Sequence, residues 1–218
     1  MHLMHLVGVV AGAAATSAFV TWYFSRDQRA RRAIVAAPVV KIGDVADGAT
    51  VRITGTLRHG PATLDAPFSH RSCAHFDALL EERSLDAGKE VWTAVAHETA
   101  SRPFFVEDST GTIRIDTTRF EGVIVNDHHK TKGDLDREKA LAFLTKHGHA
   151  AELAADRVLR YREGVLEAGE RVTVLGTARF ETHDGKKVVV LGAPEGASVR
   201  ASDEPGLTLT MRPPGVAE

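Results

Sequence analysis

The sequence predicts a mainly β (α+β) protein, in which an N-terminal transmembrane helix precedes a curled antiparallel sheet or an OB-like small barrel with one or two helices. Residues 6–24 carry no charged side chain and are mostly apolar. From residue 50 onwards, short segments alternate apolar and polar residues with a period of two, which is typical of β-strands. Short Gly-containing breaks between such segments indicate hairpin turns. Many short strands and few helices favour a sheet that closes on itself, since closure removes exposed edges.

The first element, residues 6–24, has the properties of a membrane anchor. At about 1.5 Å per residue it reaches roughly 30 Å, which is the thickness of a bilayer hydrocarbon core. Trp22 and Tyr23 end the run at the level where amphipathic rings favour the headgroup layer. Asp27 is the only acid among the four arginines that follow, which are Arg26, Arg29, Arg31 and Arg32. Arginines resist translocation, so the sequence predicts a single-pass protein with its folded domain on the cytoplasmic face, and we expect a bacterial inner membrane.

Two alternatives to a plain anchor concern the same run. A cleaved signal peptide is the first, because Ala13 and Ala15 resemble a cleavage site, but such peptides carry Lys or Arg before the apolar stretch and this one does not. A buried core helix is the second, and the missing polar stripe argues against it. Gly8 and Gly12 are spaced as in GxxxG, which would allow an anchor-mediated homodimer.

Charge and cysteine content narrow the function classes. The chain has 29 acidic and 27 basic residues, and four of the bases stand beside the apolar run, so the remainder is mildly acidic. A broad phosphate-binding surface is therefore not expected, and neither is a nucleic-acid partner. Cys73 is the only cysteine, which excludes an internal disulfide and any cysteine-rich zinc module, and it suits a reducing compartment. We expect no cofactor.

The sequence predicts four consecutive segments. Residues 1–25 form the anchor, and residues 26–37 form a basic juxtamembrane linker or helix that Pro38 ends. Residues 38–200 form the β-rich domain. Residues 201–218 hold a terminal strand, at about 207–211, and a Pro-rich tail.

Within the β-rich domain, alternation predicts strands at 51–57, 74–82 and 91–97. The first has Val51, Ile53, Gly55 and Leu57 on one face. The second places Ala74, Phe76, Ala78 and Leu80 on one side and Cys73, His75 and Asp77 on the other. Residues 104–106 and 112–116 form a predicted hairpin around 108–111, and residues 171–182 and 187–191 form a second one around Asp184 and Gly185.

One convincing helix is predicted at 135–146. Ala140, Leu141 and Leu144 share a face there while Phe143 points elsewhere, and Gly148 stops the helix. A second short helix is predicted at 150–157. Residues 128–134, which begin with His128 and His129, are predicted to be a solvated loop.

Three segments resemble a known family: IGDVADGATVRITGTL at 42–57, PFFVEDSTGTIRID at 103–116 and RYREGVLEAGERVTVLGTA at 160–178. Together with the strand that opens at Cys73, they are similar to the GIDE domain, also called the beside-a-membrane (BAM) domain. The resemblance covers most of residues 38–192, in the expected order. In the mitochondrial E3 ubiquitin ligases this domain lies between two transmembrane helices and precedes a zinc-binding RING, whereas simpler bacterial relatives have an anchor and the domain alone.

Departures from the family decide what the resemblance implies for function. After Leu191 the sequence has neither a second apolar span nor the cysteines and histidines of a RING, so ligase activity is not carried over. The resemblance implies a β-rich module that binds a protein partner beside the bilayer. Tyr161, Glu163 and Gly169 match family positions, and Gly169 is expected in a tight turn before the next strand.

The sequence assigns no catalytic, cofactor-binding or metal residue, because each candidate also has a structural reading. His70, Cys73, His75 and His97 offer ligands that zinc accepts, but alternation alone places residues on one face, and no tight ligand motif such as HExxH is present. A lone Cys73 at a strand start is more often a packing residue than a nucleophile. The remaining candidates also have structural readings: Glu107 and Asp108 adjoin a turn, and His147 and His149 lie near a helix end.

Three functions follow from these observations. The first is a membrane-anchored GIDE-like interaction module on the cytoplasmic face. The second is a membrane-anchored, hydrolase-like enzyme with a His and carboxylate pocket around His75 or His97. The third is an OB-like ligand-binding domain, for which the few aromatics argue against single-stranded nucleic acid. No GxSxG, Walker or GxGxxG sequence supports the enzyme.

Overall fold

A computed structural model describes residues 26–86, 88–124, 128–130, 136–149, 157–183 and 185–203. The anchor predicted at 1–25 and the strand predicted at 207–211 lie outside these residues, as does nearly all of the short helix predicted at 150–157. Within the described ranges, neither helix has the length and apolar character needed to cross a membrane.

The described residues form two α-helices, one 3₁₀ turn at Ile42–Asp44 and thirteen strands. The helices are α1 (Arg26–Ala36) and α2 (Arg137–Lys146). The strands are β1 (Thr50–His59), β2 (Leu64–Asp65), β3 (Ser72–Cys73), β4 (His75–Asp86), β5 (Lys89–Ser101), β6 (Phe104–Asp108), β7 (Gly111–Ile115), β8 (Phe120–Val123), β9 (His128–Lys130), β10 (Leu159–Leu166), β11 (Arg171–His183), β12 (Lys186–Gly192) and β13 (Val199–Ser202). The chain is therefore mainly β, as predicted.

Five strands close into a barrel in the order β1-β6-β7-β12-β11, because β11 pairs back onto β1. Both predicted hairpins are confirmed, since β6 pairs with β7 and β11 with β12, each antiparallel. Within the barrel, β7 and β12 pair in parallel. The closed barrel confirms the small-barrel alternative of the fold prediction.

The barrel is filled by the inward faces of its strands. Val51, Ile53 and Leu57 of β1 are buried, and the residues between them are more exposed, so the predicted alternation of this strand is confirmed. They pack with apolar residues of the other strands, including Val106, Ile113, Val174 and Leu191. These buried apolar residues form one continuous cluster.

A second sheet is built from two insertions into the barrel. Strands β2–β5 lie in the chain between β1 and β6, and β8–β10 with α2 lie between β7 and β11. Four of these strands form a sheet in the order β5-β4-β10-β9, and α2 contributes Ala140, Phe143 and Leu144 to the core cluster of this sheet. The molecule therefore has two cores, one inside the barrel and one between this sheet and α2.

The predicted strand at 74–82 is corrected at its start. The strand is interrupted at Ala74, between β3 and β4, where the Ala74 N–H donates to Leu166 O and the Ala74 carbonyl accepts from Arg102 N–H, both at 2.8 Å. Ala74 consequently lies in the barrel core and Cys73 in the sheet core. The prediction that Ala74 shares a face with Phe76 was wrong, as was the grouping of Cys73 with His75.

The helix predicted at 135–146 exists, but its buried face was wrong. Phe143 is buried with Ala140 and Leu144, and Leu141 is 42% exposed. Both sets have helical spacing, and the larger Phe143 ring takes the core position. The stop at Gly148 is confirmed, since that residue has φ of 80° immediately after the helix.

The helix predicted before Pro38 is confirmed as α1. Its buried side chains, Ala30 and Ile34, are fully covered, and the helix contacts β8, β11 and β13. The loop predicted at 128–134 was wrong in its first part, because residues 128–130 form β9 and pair with β10. The sequence also did not predict β2, β8, β10 and β13 as strands; β8 and β13 lie beside the closed barrel, and β9 and β10 extend the second sheet.

Candidate interaction groove

A groove lies between α2, the segment from β2 to β3 and the edge of the four-stranded sheet. Its volume is about 660 Å³. It is lined by Leu64, Asp65, Pro67 and His70 on one wall, by Phe76, Glu98 and Ala100 of the sheet, and by Asp136, Glu138, Lys139, Ala142, Phe143 and Lys146 on the helix side. We call this space the helix-edge groove. Its volume lies in the range of about 300–1,000 Å³ that ligand sites occupy.

A buried carboxylate holds the wall of the helix-edge groove. The backbone N–H groups of Phe68 and Ser69 donate to Glu163 at 2.8 and 3.1 Å, and Glu163 is fully buried. On the opposite side of the same loop, Lys139 Nζ donates to the Phe68 carbonyl oxygen at 2.7 Å. A buried charge is tolerated only when hydrogen bonds compensate its lost hydration, so these bonds fix the loop.

Aromatic stacking completes that wall. The Phe68 ring stacks on Tyr161, with centroids 4.3 Å apart, and packs against Phe143 at 4.8 Å. Tyr161 and Glu163 are two of the three positions that the sequence matched to the GIDE family. Both residues contact Phe68 and thereby hold the wall of the groove in place. The third, Gly169, has φ of 94° in the turn before β11, as predicted.

The C-terminal end of α2 is tied to the edge strand β5. Glu98 accepts from Lys146 Nζ at 2.6 Å and from His147 Nε2 at 3.1 Å. Burial alone would raise the pKa of Glu98, but the hydrogen bonds from Lys146 and His147 outweigh it and lower the pKa below its ordinary value. At the other end, the Asp136 side chain accepts from Glu138 N–H and Lys139 N–H and caps the helix. Both ends of the groove wall formed by α2 are therefore fixed.

The four residues of the metal hypothesis contact different partners. His70 pairs with Asp65 at 3.3 Å, His75 Nδ1 lies 2.9 Å from Ser101 Oγ, and His97 Nε2 lies 3.0 Å from Asp77. In the part of the chain that the structure covers, no three or more His, Cys, Asp or Glu side chains are arranged to hold a metal ion.

Cys73 lies in the core of the second sheet. Burial, and then the charges of Glu163 and Glu167, raise the pKa of its thiol to about 12. The thiol therefore stays protonated near neutral pH, which argues against a nucleophilic role.

The acids near the first hairpin have structural partners. Asp108 accepts from the Thr110 N–H and hydroxyl at 2.7 and 2.6 Å, and from Ile42 N–H at 2.9 Å. Glu107 pairs with Arg58 at 2.8 Å. Asp108 therefore joins the 3₁₀ turn to the hairpin.

His75 and His97, which the enzyme hypothesis named, occupy different environments. His75 is 3% exposed, and burial lowers its pKa to about 4. His97 and Asp77 instead line a cleft of about 270 Å³, together with Arg31 and Arg162. The side chains that line this cleft include no hydroxyl or thiol group.

Sequence reasoning missed Phe68, Glu98 and Lys139. Their contacts join residues separated by 95, 48 and 71 positions, as in Phe68 to Glu163, Glu98 to Lys146 and Lys139 to Phe68. No local motif carries such pairs. The only signal in the sequence was the family match at Tyr161 and Glu163.

No curated protein and no solved structure matches the chain. The family model GIDE, described as E3 ubiquitin ligase, matches residues 79–198. This range covers more than half of the chain and includes the segments at 103–116 and 160–178, while the segment at 42–57 lies outside it. The resemblance found in the sequence is thus confirmed, and the chain belongs to the GIDE family.

Proposed function

We propose that this GIDE-family chain is a membrane-anchored interaction module that binds a protein partner at the cytoplasmic face and does not itself transfer ubiquitin. The observation that carries the proposal is the packing of α1 on the β domain immediately after the apolar run. Ala30 and Ile34 are fully buried there. The first described residue of this helix, Arg26, comes two positions after the apolar run ends at Phe24.

The position of α1 directly after the apolar run has a mechanical consequence for an anchored chain. A flexible linker would let the β domain diffuse away from the bilayer, whereas a helix docked on β8, β11 and β13 keeps it close. The arginines that begin at Arg26 favour retention on the cytoplasmic side. The proposed module therefore presents its surface within a short distance of the headgroups.

The cysteine content supports the part of the proposal that excludes ubiquitin transfer by this chain. A RING holds zinc through several cysteines and histidines, and the 218 residues contain Cys73 alone. Ligases that carry ubiquitin as a thioester need a reactive thiolate, and the raised pKa of Cys73, about 12, disfavours one. What the module contributes is binding of a protein partner.

Membrane fractionation tests the anchor. We expect the full chain to remain in the membrane pellet after carbonate and salt washes, and a chain that starts at Arg26 to be released. A reporter fused after Glu218 should be active only as a cytoplasmic reporter. Mature protein that has lost residues 1–15, or a periplasmic reporter signal, would refute the proposed topology.

A ubiquitin-discharge assay tests the absence of transfer. The full chain in detergent is added to a ubiquitin-loaded E2, and we expect the rate of discharge to equal that with a heat-denatured sample. Acceleration by the native chain would overturn this part of the proposal.

Crosslinking of Gly8→Ile and Gly12→Ile variants tests the proposed anchor dimer, which these substitutions should weaken.

An anchored enzyme is the second candidate, and the pair of His97 and Asp77 is the observation that favours it. Their 3.0 Å hydrogen bond lies in a cleft that Arg31 and Arg162 also line, and a carboxylate that orients a histidine is an arrangement that a general base can use. An activity screen of the full chain against ester, phosphoester and glycoside substrates discriminates the two functions. We expect no turnover, whereas turnover that His97→Ala abolishes would establish the enzyme instead.

A further inference from the structure

The floor of the helix-edge groove is apolar and open to solvent. Leu64, Phe76 and Phe143 line it, with Phe76 and Phe143 each only 4% exposed, and the small side chains of Ala100 and Ala142 leave space between them. Ala142 itself is exposed, one residue before the buried Phe143. An apolar side chain placed here would lose contact with water and meet apolar carbon on several sides.

The rim of the groove is acidic. Four carboxylates, those of Asp65, Glu98, Asp136 and Glu138, lie around it, against the two ammonium groups of Lys139 and Lys146. Both ammonium groups are turned to partners within the molecule, namely the Phe68 carbonyl and Glu98. Glu98 is itself paired with Lys146 and His147, and Asp136 caps α2, but four carboxylates against two ammonium groups leave a net negative rim, which favours a ligand that carries a cation next to its apolar group.

One side of the groove is a strand edge. In the described residues β5 pairs only with β4, so its other edge has no strand partner. Glu98 and Ala100 belong to β5, alternate along it and line the groove. An extended segment that hydrogen bonds to this edge would therefore direct alternate side chains into the groove.

From these three features we propose that the helix-edge groove binds an extended segment of a partner protein by β-strand addition to β5, with an apolar side chain on the groove floor and a lysine or arginine beside it at the acidic rim. This inference names the binding surface and the kind of partner for the proposed interaction module, and it rests on that proposal.

The loop wall shapes this site. Glu163 holds Phe68 and Ser69 in place from within the core, so it is a positioning residue that a docked segment would not touch. Because two backbone N–H groups donate to one carboxylate, Glu163→Gln keeps an acceptor but introduces a donor against donors. We therefore expect it to weaken binding without contacting the segment.

The binding test uses the full chain in lipid nanodiscs and a labelled synthetic peptide, measured by fluorescence anisotropy. In the probe peptide, threonines alternate with a lysine, a phenylalanine and a second lysine, so the last three share one face. We expect saturable binding that weakens with salt. Matched peptides with serine for phenylalanine, or glutamates for both lysines, should bind at least about tenfold more weakly.

Two neighbouring positions on α2 give a matched pair of protein variants. Ala142→Trp fills the groove and should reduce affinity by about tenfold or more, while Leu141→Trp, at an exposed residue outside the lining, should change it by less than about twofold. Glu138→Lys should weaken the lysine peptide but not the glutamate peptide. Thermal unfolding of each variant confirms that the fold is retained.

Backbone N-methylation distinguishes strand addition from side-chain insertion alone. Methyl groups on one set of alternate peptide amides should abolish binding, and those on the other set should not, because an edge strand offers hydrogen bonds to alternate residues only. Equal effects of the two sets would overturn strand addition.

Several results would overturn the proposal itself. These are no binding of the lysine-phenylalanine peptide, equal binding to Ala142→Trp and Leu141→Trp, or tighter binding of a peptide covering residues 204–218, which would make the chain's own tail the occupant. The anchor and partner capture are measured separately, so a chain that stays in the membrane and ignores all peptides refutes the groove and leaves the proposed function intact.

Discussion

The protonation of His75 provides the sharpest prediction of stability. The His75 ring lies between β5 and β8, with Nδ1 2.9 Å from Ser101 Oγ and the ring centroid 5.0 Å from that of Phe120. Burial, which outweighs the charge of Asp77 and a backbone hydrogen bond, lowers the pKa of His75 from 6.5 to about 4. The fold therefore selects the neutral ring.

The sign and size of the effect follow from proton linkage. Between pH 6.5 and about 4 the unfolded chain binds a proton at this position and the native chain does not, so stability falls as the pH falls. The difference between the pKa of His75 in the unfolded chain, 6.5, and in the native chain, about 4, is worth about 1.4 kcal/mol for each pH unit. It therefore contributes roughly 3 kcal/mol to the free energy of unfolding, which is present in full above pH 6.5 and lost by about pH 4.

Urea unfolding between pH 4 and 8 measures this contribution. Over that window the unfolding free energy of the wild type should fall by roughly 3 kcal/mol more than that of His75→Asn, because the carboxylates are common to both chains and cancel in the comparison. Parallel curves for wild type and His75→Asn would refute the reasoning.

Three further predictions concern local packing and capping. A Cβ at Gly122 would lie 2.5 Å from His75 Nε2, so Gly122→Ala should cost about 1–3 kcal/mol in urea unfolding, and His75→Ala in the same chain should recover part of that loss. Since burial raises its pKa to about 12, Cys73 in the native chain should react with a maleimide at pH 8 about a thousandfold more slowly than in the unfolded chain; equal rates would contradict its burial. Asp136→Ala should lower the unfolding free energy by about 1 kcal/mol through loss of the α2 cap, whereas Asp136→Asn should retain most of it.

Local periodicity was sufficient to predict the barrel strands. Val51, Ile53 and Leu57 alternate within one segment, and the two hairpins have their turn residues in sequence, so each signal is contained within a few residues. The same holds for α1 before Pro38 and for the stop of α2 at Gly148. These elements depend on backbone geometry that neighbouring residues decide.

The errors arose where distant backbone decides the outcome. Ala74 faces the barrel core at the junction of β3 and β4, where its backbone bonds to Leu166 and Arg102, far along the chain. β13 pairs in parallel with β8, an arrangement without a hairpin signal. On α2, Leu141 and Phe143 both fit helical spacing, and only packing against the second sheet chooses between them.

The groove was beyond sequence reasoning for the same reason. Phe68, Glu98 and Lys139 come from three separate segments, and their meeting depends on how two insertions pack beside the barrel. Family resemblance supplied Glu163 as a matched position but gave it no role. The structure gives it one, as the buried acceptor that holds the groove wall.

Photo-crosslinking from position 142 in native membranes tests the account most directly. A photoreactive residue replaces Ala142 in the full chain, and a matched chain carries it at Leu141. The account predicts a protein crosslink from position 142 alone, mapped to an extended segment with an apolar residue beside a lysine or arginine. Equal labelling from both positions, or labelling of lipid only, would contradict it.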